Sequence, residues 1–289
     1  MFDLKEHICY AGFGAKACED IVGYGRHYCF VMDGASGLGG NQIIDSVSDS
    51  AWMVKKFRDG LCRLLDQDDP RPTRELLLEV VVGIRQEYLQ ALDRMGVSAP
   101  VDSPSAGMAL FRQRGNKLEF FGMGDCVGVA ILPDGSHFYS LDENLPALDQ
   151  QVIEEMIALH RQTGISMKEA KQICNPQLLH NRGLRNKPGG YWILDLLTDN
   201  GIHNAREAVW ELTAPVQVGA FSDGLAQLTE VFGQYPDYIS LFAAMQQEGA
   251  EKLFRHLCAL QDADPDLDRY PRLKHRDDTC ALWGSFTPT

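Results

Sequence analysis

The stretch Tyr28-Cys29-Phe30-Val31-Met32-Asp33-Gly34-Ala35-Ser36-Gly37 decides how the rest of the chain is read. Residues 28–32 are an unbroken run of bulky apolar and aromatic side chains, with the composition and length of a buried strand. The run stops at an acidic residue followed by small ones, which puts the Asp33 carboxylate at the end of a rigid strand, where the chain turns. Gly34 lets the backbone approach a ligand closely and present its carbonyl. A carboxylate beside an accessible carbonyl suits a hard cation such as Mg²⁺ or Mn²⁺, which prefers oxygen donors. Taken alone, the stretch is more simply a strand followed by an Asp-Gly turn.

The same pattern recurs along the chain. Gly124-Asp125-Cys126 joins two strand-like runs, and Phe221-Ser222-Asp223-Gly224 repeats the order of apolar strand, carboxylate and glycine. Glu19-Asp20 closes a glycine-bearing loop, and Asp277-Asp278 precedes the final strand-like run. Carboxylates gathered by a fold repel one another and raise each other's pKa unless cations compensate. Five acidic sites at strand junctions therefore point to divalent metal.

Around these sites the pattern predicts strands over residues 7–12, 108–112, 118–123, 127–132, 191–194, 207–212 and 216–221, with 108–132 as an antiparallel meander. Apolar residues at helical spacing predict helices over 41–65, 73–95 (Thr73 as N-cap), 150–162, 166–179 and through 237–260. No internal repeat or boundary interrupts the pattern. One domain over 1–289, with an insertion or flap at about 142–190, is expected. Within that insertion, the basic loop 180–190 carries Arg182 and Arg185, which either face solvent or meet an anionic substrate.

Composition narrows the class. The 289 residues are 45% hydrophobic and 23% charged, ordinary for a globular protein large enough to bury its own core. A net charge of −13 repels phosphate backbones and anionic lipid, which excludes nucleic acid and membrane surfaces as main partners. The eight cysteines form no Cys-x-x-Cys pair, and the histidines form no zinc motif. The first residues lack the pattern of a secretory signal, and no apolar run reaches the ~20 residues of a membrane span. A reducing cytoplasm is the expected location.

Taken in order, the acidic motifs resemble those of the PPM or PP2C family of metal-dependent protein phosphatases, most closely its bacterial members. Lys16-Ala17-Cys18-Glu19-Asp20 resembles the family's Asn-Glu-Asp motif, Met32-Asp33-Gly34 its Asp-Gly motif, and Gly124-Asp125-Cys126 its Gly-Asp-Ser/Cys motif. Ser222-Asp223-Gly224 and Asp277-Asp278 resemble the Ser-Asp-Gly and terminal Asp-Asn/Asp motifs. The resemblance implies an α+β, four-layer α/β/β/α sandwich of two antiparallel sheets flanked by helices. It also implies two Mn²⁺ or Mg²⁺ ions, with a third in bacterial relatives. Asp33 would bridge the pair and the Gly34 carbonyl would hold one ion. Asp223 and Asp277 would hold the other, Asp125 with Asp223 the third, and Glu19 and Asp20 would act mainly through waters. The implied activity is hydrolysis of phosphoserine or phosphothreonine in proteins by a hydroxide bridging the two ions, with Asp33, Asp223 and Asp277 catalytic through that activated water. The alternatives are another phosphorylated substrate or a non-catalytic regulatory or binding domain.

Two departures from the family pattern bear on the substrate. Ala35 stands where many members have a histidine, and Ala15 where a phosphate-binding arginine is expected. Lys16, one residue later, is the available substitute, though as a point charge and not a bidentate fork. Lys16, Arg182 and Arg185 are therefore the candidate substrate-binding residues. The oligomeric state is not legible.

Overall fold

The computed structural model describes residues 1–35, 43–44, 47–97 and 103–288. In chain order the first elements are β1 (Phe2–Tyr10), β2 (Asp20–Gly25), β3 (Tyr28–Ala35), α1 (Asp49–Leu65) and α2 (Thr73–Met95). They are followed by β4 (Ser105–Arg114), β5 (Lys117–Met123), β6 (Val127–Ile131), β7 (His137–Ser140), α3 (Asn144–Thr163) and α4 (Met167–Arg182). The remainder is β8 (Leu194–Asp195), α5 (Asn200–His203), β9 (Arg206–Glu211), β10 (Val216–Phe221), α6 (Asp223–Glu230), α7 (Tyr238–Glu248), α8 (Ala250–Asp262) and β11 (Thr279–Phe286).

Why residues 28–32 are apolar without a break is now visible. Tyr28, Phe30 and Met32 point into a core shared with α1 and α2, while Cys29 and Val31 point into a second core between two sheets. A strand covered on both faces has no polar side to alternate with. β10 and β11 are arranged likewise. Val218, Ala220 and Leu282 face the core between the sheets, and Phe221 and Ala281 face α6, α7 and α8. One sheet runs β1-β11-β10-β6-β7 and the other β2-β3-β4-β5-β9, with β8 beside β4, and all named pairings are antiparallel. The result is the α/β/β/α sandwich expected. Among the described residues, no helix is long and apolar enough to cross a membrane.

Several expectations need correction. The residues read as a meander are split: β4 and β5 pair in one sheet, whereas β6 pairs with β10 and β7 in the other. The chain changes sheets through Gly124-Asp125-Cys126, where Gly124 takes a φ of 64° and donates its N–H to the Trp192 carbonyl at 2.7 Å. β1 begins at Phe2 and stops at Tyr10, short of Gly12. The helix expected from residue 41 starts at Asp49 behind the N-cap Ser48; residues 41, 42, 45 and 46 lie outside those described, as do 98–102 of the loop preceding β4. Thr73 is the first helical residue and does not cap, because its hydroxyl donates to Glu119 at 3.0 Å. The helical pattern over 237–260 is two helices, separated at Gly249 with φ 91°.

Within residues 142–190, α3 and α4 form a helical hairpin. α4 opens with a capping box, Ser166 accepting from the Glu169 N–H and the Glu169 carboxylate accepting from the Ser166 N–H. Val152 and Met156 of α3 pack against Met167, Ala170, Cys174 and Leu178 of α4, with Leu267 closing the small core. At its foot the basic loop turns inward. Arg185 is buried, and its guanidinium donates to the Ser103 carbonyl at 2.8 Å and the Ser105 hydroxyl at 3.0 Å, with Asp195 at 3.6 Å. A guanidinium so committed anchors the loop to β4 and is not presented to a substrate. Arg185→Ala would leave Asp195 buried without its ion partner. Urea unfolding should show a loss of roughly 3 kcal/mol or more, far above the cost of trimming a surface arginine.

Candidate metal centre

Strand register brings the acidic motifs to one end of the sandwich. Asp20 opens β2 and lies directly opposite Asp33 on β3, and Asp33 in turn lies opposite Gly107 on β4. Phe221, the last residue of β10, lies opposite both Val127 at the start of β6 and Ala281 near the start of β11. Asp223, Asp125 and Asp277 therefore leave their strands at the same edge. Two close approaches tighten the arrangement. A side chain at Gly107 would come within 2.9 Å of the Asp125 carboxylate, so the missing Cβ is the space that Asp125 occupies. At Gly224 a Cβ would stand 2.0 Å from the Asp278 carbonyl, so glycine alone lets the first turn of α6 lie against the approach to β11.

The electrostatics follow from this crowding. Asp33 is pushed well above the usual carboxylate range by burial, and then by Asp20, Asp223, Asp125 and Asp277. Asp223 is raised by burial and by Asp277 and Asp125, while a hydrogen bond with Asp33 offsets part of the effect. Burial lifts Asp125 to about 7, with Asp149, Glu230 and Asp277 adding to it. Asp20 is 3% exposed, and neither of its carboxylate oxygens has a hydrogen-bond partner. Burial raises its pKa well above the ordinary value; the Ser222 hydroxyl, engaged with the Cys280 backbone, offsets only part of this. A buried carboxylate without a donor must keep a proton or meet a cation.

The donors are all oxygen, the set that Mn²⁺ and Mg²⁺ prefer. The Asp20 oxygens are free to accept such a charge, and the residues present fit hard divalent cations. Among the described residues, the side chains stand within electrostatic range of one another and do not form a closed ligand set.

The other candidates are placed differently. Glu19 sits at the rim, where its carboxylate accepts from the Ser48 hydroxyl at 2.5 Å and its carbonyl accepts the Gly34 N–H at 3.0 Å. Lys16 is exposed on the loop between β1 and β2. Arg182 ends α4 within electrostatic reach of Asp149 on α3 and of Tyr191.

Two contributors, Lys274 and Asp149, were not singled out from sequence, and a third, Asp278, was read there only as part of an acidic motif. Asp278 accepts from the Gly12 N–H and the Glu19 N–H, both at 2.6 Å, and so ties the β1–β2 loop to β11. Lys274 is exposed, and its ammonium pairs with Asp277 at 2.6 Å. Desolvation opposes that charge, yet Asp277, Asp223 and Asp33 more than offset it and raise the lysine pKa. Asp149 is lifted to about 6 by burial, and α3 carries it to the same rim. Lys274 and Asp278 belong to a charged run at a strand junction, a signal visible in sequence; Asp149 left none.

No family model matches the sequence, and no curated protein is similar to it. Solved structures match over the whole chain. The serine/threonine phosphatase PstP/Ppp of Mycobacterium tuberculosis superposes with a TM-score of 0.58 at 15% identity, covering 100% of both chains. The chain has the PP2C fold. PppA, a regulatory component of the type VI secretion system in Pseudomonas aeruginosa, superposes on the same PP2C fold with a TM-score of 0.56 at 16% identity, over 99% of this chain and 98% of that one. A PstP catalytic domain in complex with two manganese ions has a TM-score of 0.53 at 16% identity, over 99% and 100% of the two chains.

The raised carboxyls set a pH dependence for the chain without cations. A carboxyl that holds its proton more tightly when folded favours the folded state below its unfolded pKa and loses that advantage as pH rises toward its folded value. Chelated protein should therefore lose thermal stability between pH 4 and about 7, the value to which Asp125 is lifted. Asp125→Asn should flatten that slope in melting curves, and saturating Mn²⁺ should reverse it in the unaltered chain.

Proposed function

We infer that the chain is a Mn²⁺- or Mg²⁺-dependent phosphatase acting on phosphoserine or phosphothreonine in proteins. The observation that carries this reading is the convergence of Asp20, Asp33, Asp125, Asp223 and Asp277 on one edge of a PP2C fold, with both buried Asp20 carboxylate oxygens lacking a hydrogen-bond partner. Asp33 with the Gly34 carbonyl, and Asp223 with Asp277, would hold two cations; Asp125 with Asp223 would hold a further one. Glu19 and Asp20 would reach them through water. When bound, the ions supply positive charge for the phosphoryl oxygens and lower the pKa of the attacking water.

The chain's own groups complete the site. Lys274 is the ammonium facing Asp277, Asp223 and Asp33, and it supplies a point charge for the phosphoryl group that Ala15 cannot. Arg182 offers a second cation from the foot of the helical hairpin, which on this reading is a flap at 142–190 bordering the cleft. Lys16, on an exposed loop, is available to the polypeptide around the phosphoresidue. Position 35 offers only a methyl group, so the leaving alkoxide takes its proton from water. The net charge of −13 disfavours nucleic acid and anionic membrane, and eight free thiols fit a cytoplasmic location.

Hydrolysis of an aryl phosphate and of a phosphothreonine peptide, with Mn²⁺, with Mg²⁺ and after chelation, tests this reading. Turnover should require the cation and fall at least about 100-fold in Asp33→Asn and in Asp223→Asn. Lys274→Gln should raise KM for the aryl phosphate several-fold while the melting temperature holds. Calorimetric Mn²⁺ binding without turnover on either substrate would move the assignment to another phosphorylated substrate or to a regulatory domain. Neither binding nor turnover would end it.

A further inference from the structure

Cys9 and Cys18 border the carboxylate centre but have no part in the chemistry above. Cys9 is exposed on β1, an edge strand of one sheet, and Cys18 is half-buried two residues before β2, the edge strand of the other. Their sulfurs stand 3.8 Å apart, the one thiol–thiol contact at this range among the described residues. Both also aim at a single acceptor, the Asp20 carbonyl, at 3.3 and 3.5 Å. The remaining thiols are placed for packing. Cys29, Cys126, Cys174 and Cys280 are buried, and Cys62 and Cys258 are half-buried within helices.

We propose that Cys9 and Cys18 are an oxidisable pair that closes the β1–β2 loop as a reversible disulfide. The sulfurs must move from 3.8 Å to about 2.05 Å. The intervening segment, 11–19, has no regular structure, and Gly14 turns in it at φ 74° with open space around it, so the chain can yield. The step balances with a peroxide as oxidant. The exposed Cys9 sulfur attacks one peroxide oxygen, giving a sulfenic acid and releasing water (from H₂O₂). The Cys18 sulfur then displaces the hydroxyl from Cys9 as a second water. Two electrons pass from the sulfurs to the peroxide, and a dithiol reductant returns them.

The pair is positioned to act on more than itself. The ring it closes contains Gly12, whose N–H is held by Asp278, and the residue after Cys18 is Glu19, whose N–H is held by the same carboxylate. Closing the ring takes both thiols off the Asp20 carbonyl and clamps the loop that carries the acidic pair. Any effect on cation binding rests on the function inferred above, whereas the disulfide does not.

The full-length chain, treated with hydrogen peroxide, alkylated and mapped by mass spectrometry, tests the proposal. A Cys9–Cys18 cross-linked peptide is expected, lighter by two hydrogens, reversed by dithiothreitol, and absent from Cys9→Ser and from Cys18→Ser. Amide exchange over residues 11–20 should slow several-fold in the oxidised chain. A Cys9 sulfinic acid beside an alkylatable Cys18, linkage to a different cysteine, or unchanged exchange after cross-linking would overturn it. Calorimetry with Mn²⁺ on both redox forms separates the two readings. Weaker binding by the oxidised form supports the clamp, and a cross-linked chain that binds no Mn²⁺ in either form supports the thiol pair but overturns the inferred phosphatase.

Discussion

Mutual repulsion among carboxylates, held together by a rigid frame, is the constraint on which the rest of this structure depends. Asp20 and Asp33 are locked opposite each other by strand register, so neither can swing away without breaking the β2–β3 ladder. Asp223 is fixed by its place at the start of α6, and Asp125 by the point where the chain passes from one sheet to the other. The free energy that holds them there comes from the three apolar layers behind them, above all the large side chains Phe30, Phe57, Phe111, Phe120 and Phe221, each almost wholly removed from water. Burying a side chain of that size is worth about 1.5–3 kcal/mol, so a handful of them can outweigh several unfavourable charge contacts.

The frame also explains why small residues recur beside the acids. Gly107 and Gly224 provide room, one for the Asp125 carboxylate and the other for the Asp278 carbonyl. Asp278 serves the opposite purpose. Its two oxygens accept main-chain N–H groups from both ends of one loop, so its charge is spent on holding backbone. Adjacent aspartates in one motif thus divide the work, Asp277 turned toward Lys274 and the acidic edge, Asp278 toward the loop.

Much of this was legible in the sequence where one physical cause acted alone. The apolar run 28–32 and the β10 run 216–221 could be read because both faces are buried. α2 could be read because its apolar stripe spans six turns and ends at Gly96 in the left-handed conformation. The order of the acidic motifs gave the fold. β2 escaped because Gly23, Tyr24 and Gly25 blur the alternation of a short edge strand. The passage of the chain from β5 to β6 escaped because adjacency in sequence suggests adjacency in a sheet, and only the partner strand β10, some 90 residues away, reveals otherwise. Arg185 escaped for a similar reason. Its loop has the composition of a solvated surface, and its partners Ser103, Ser105 and Asp195 are brought to it by tertiary structure. Lys274 and Asp149 reach the acidic edge from elements whose orientation no local pattern records.

The pairing of β1 with β11 has a consequence for how the molecule comes into being. Phe2 lies opposite Phe286, and Tyr10 opposite Thr279, so β1 finds its partner only after the intervening residues 11–278 have been synthesised. Contacts at such separation are slow to form, because the entropy of closing so long a loop must be lost before any pairing energy returns. Until then β1 offers an unsatisfied hydrogen-bonding edge, and Asp277 and Asp278 have no strand to leave from. During synthesis the acidic edge is therefore incomplete until β11 has emerged, and a nascent chain that stops short of it lacks Asp277 and Asp278 as well as the β11 side chains of two apolar layers.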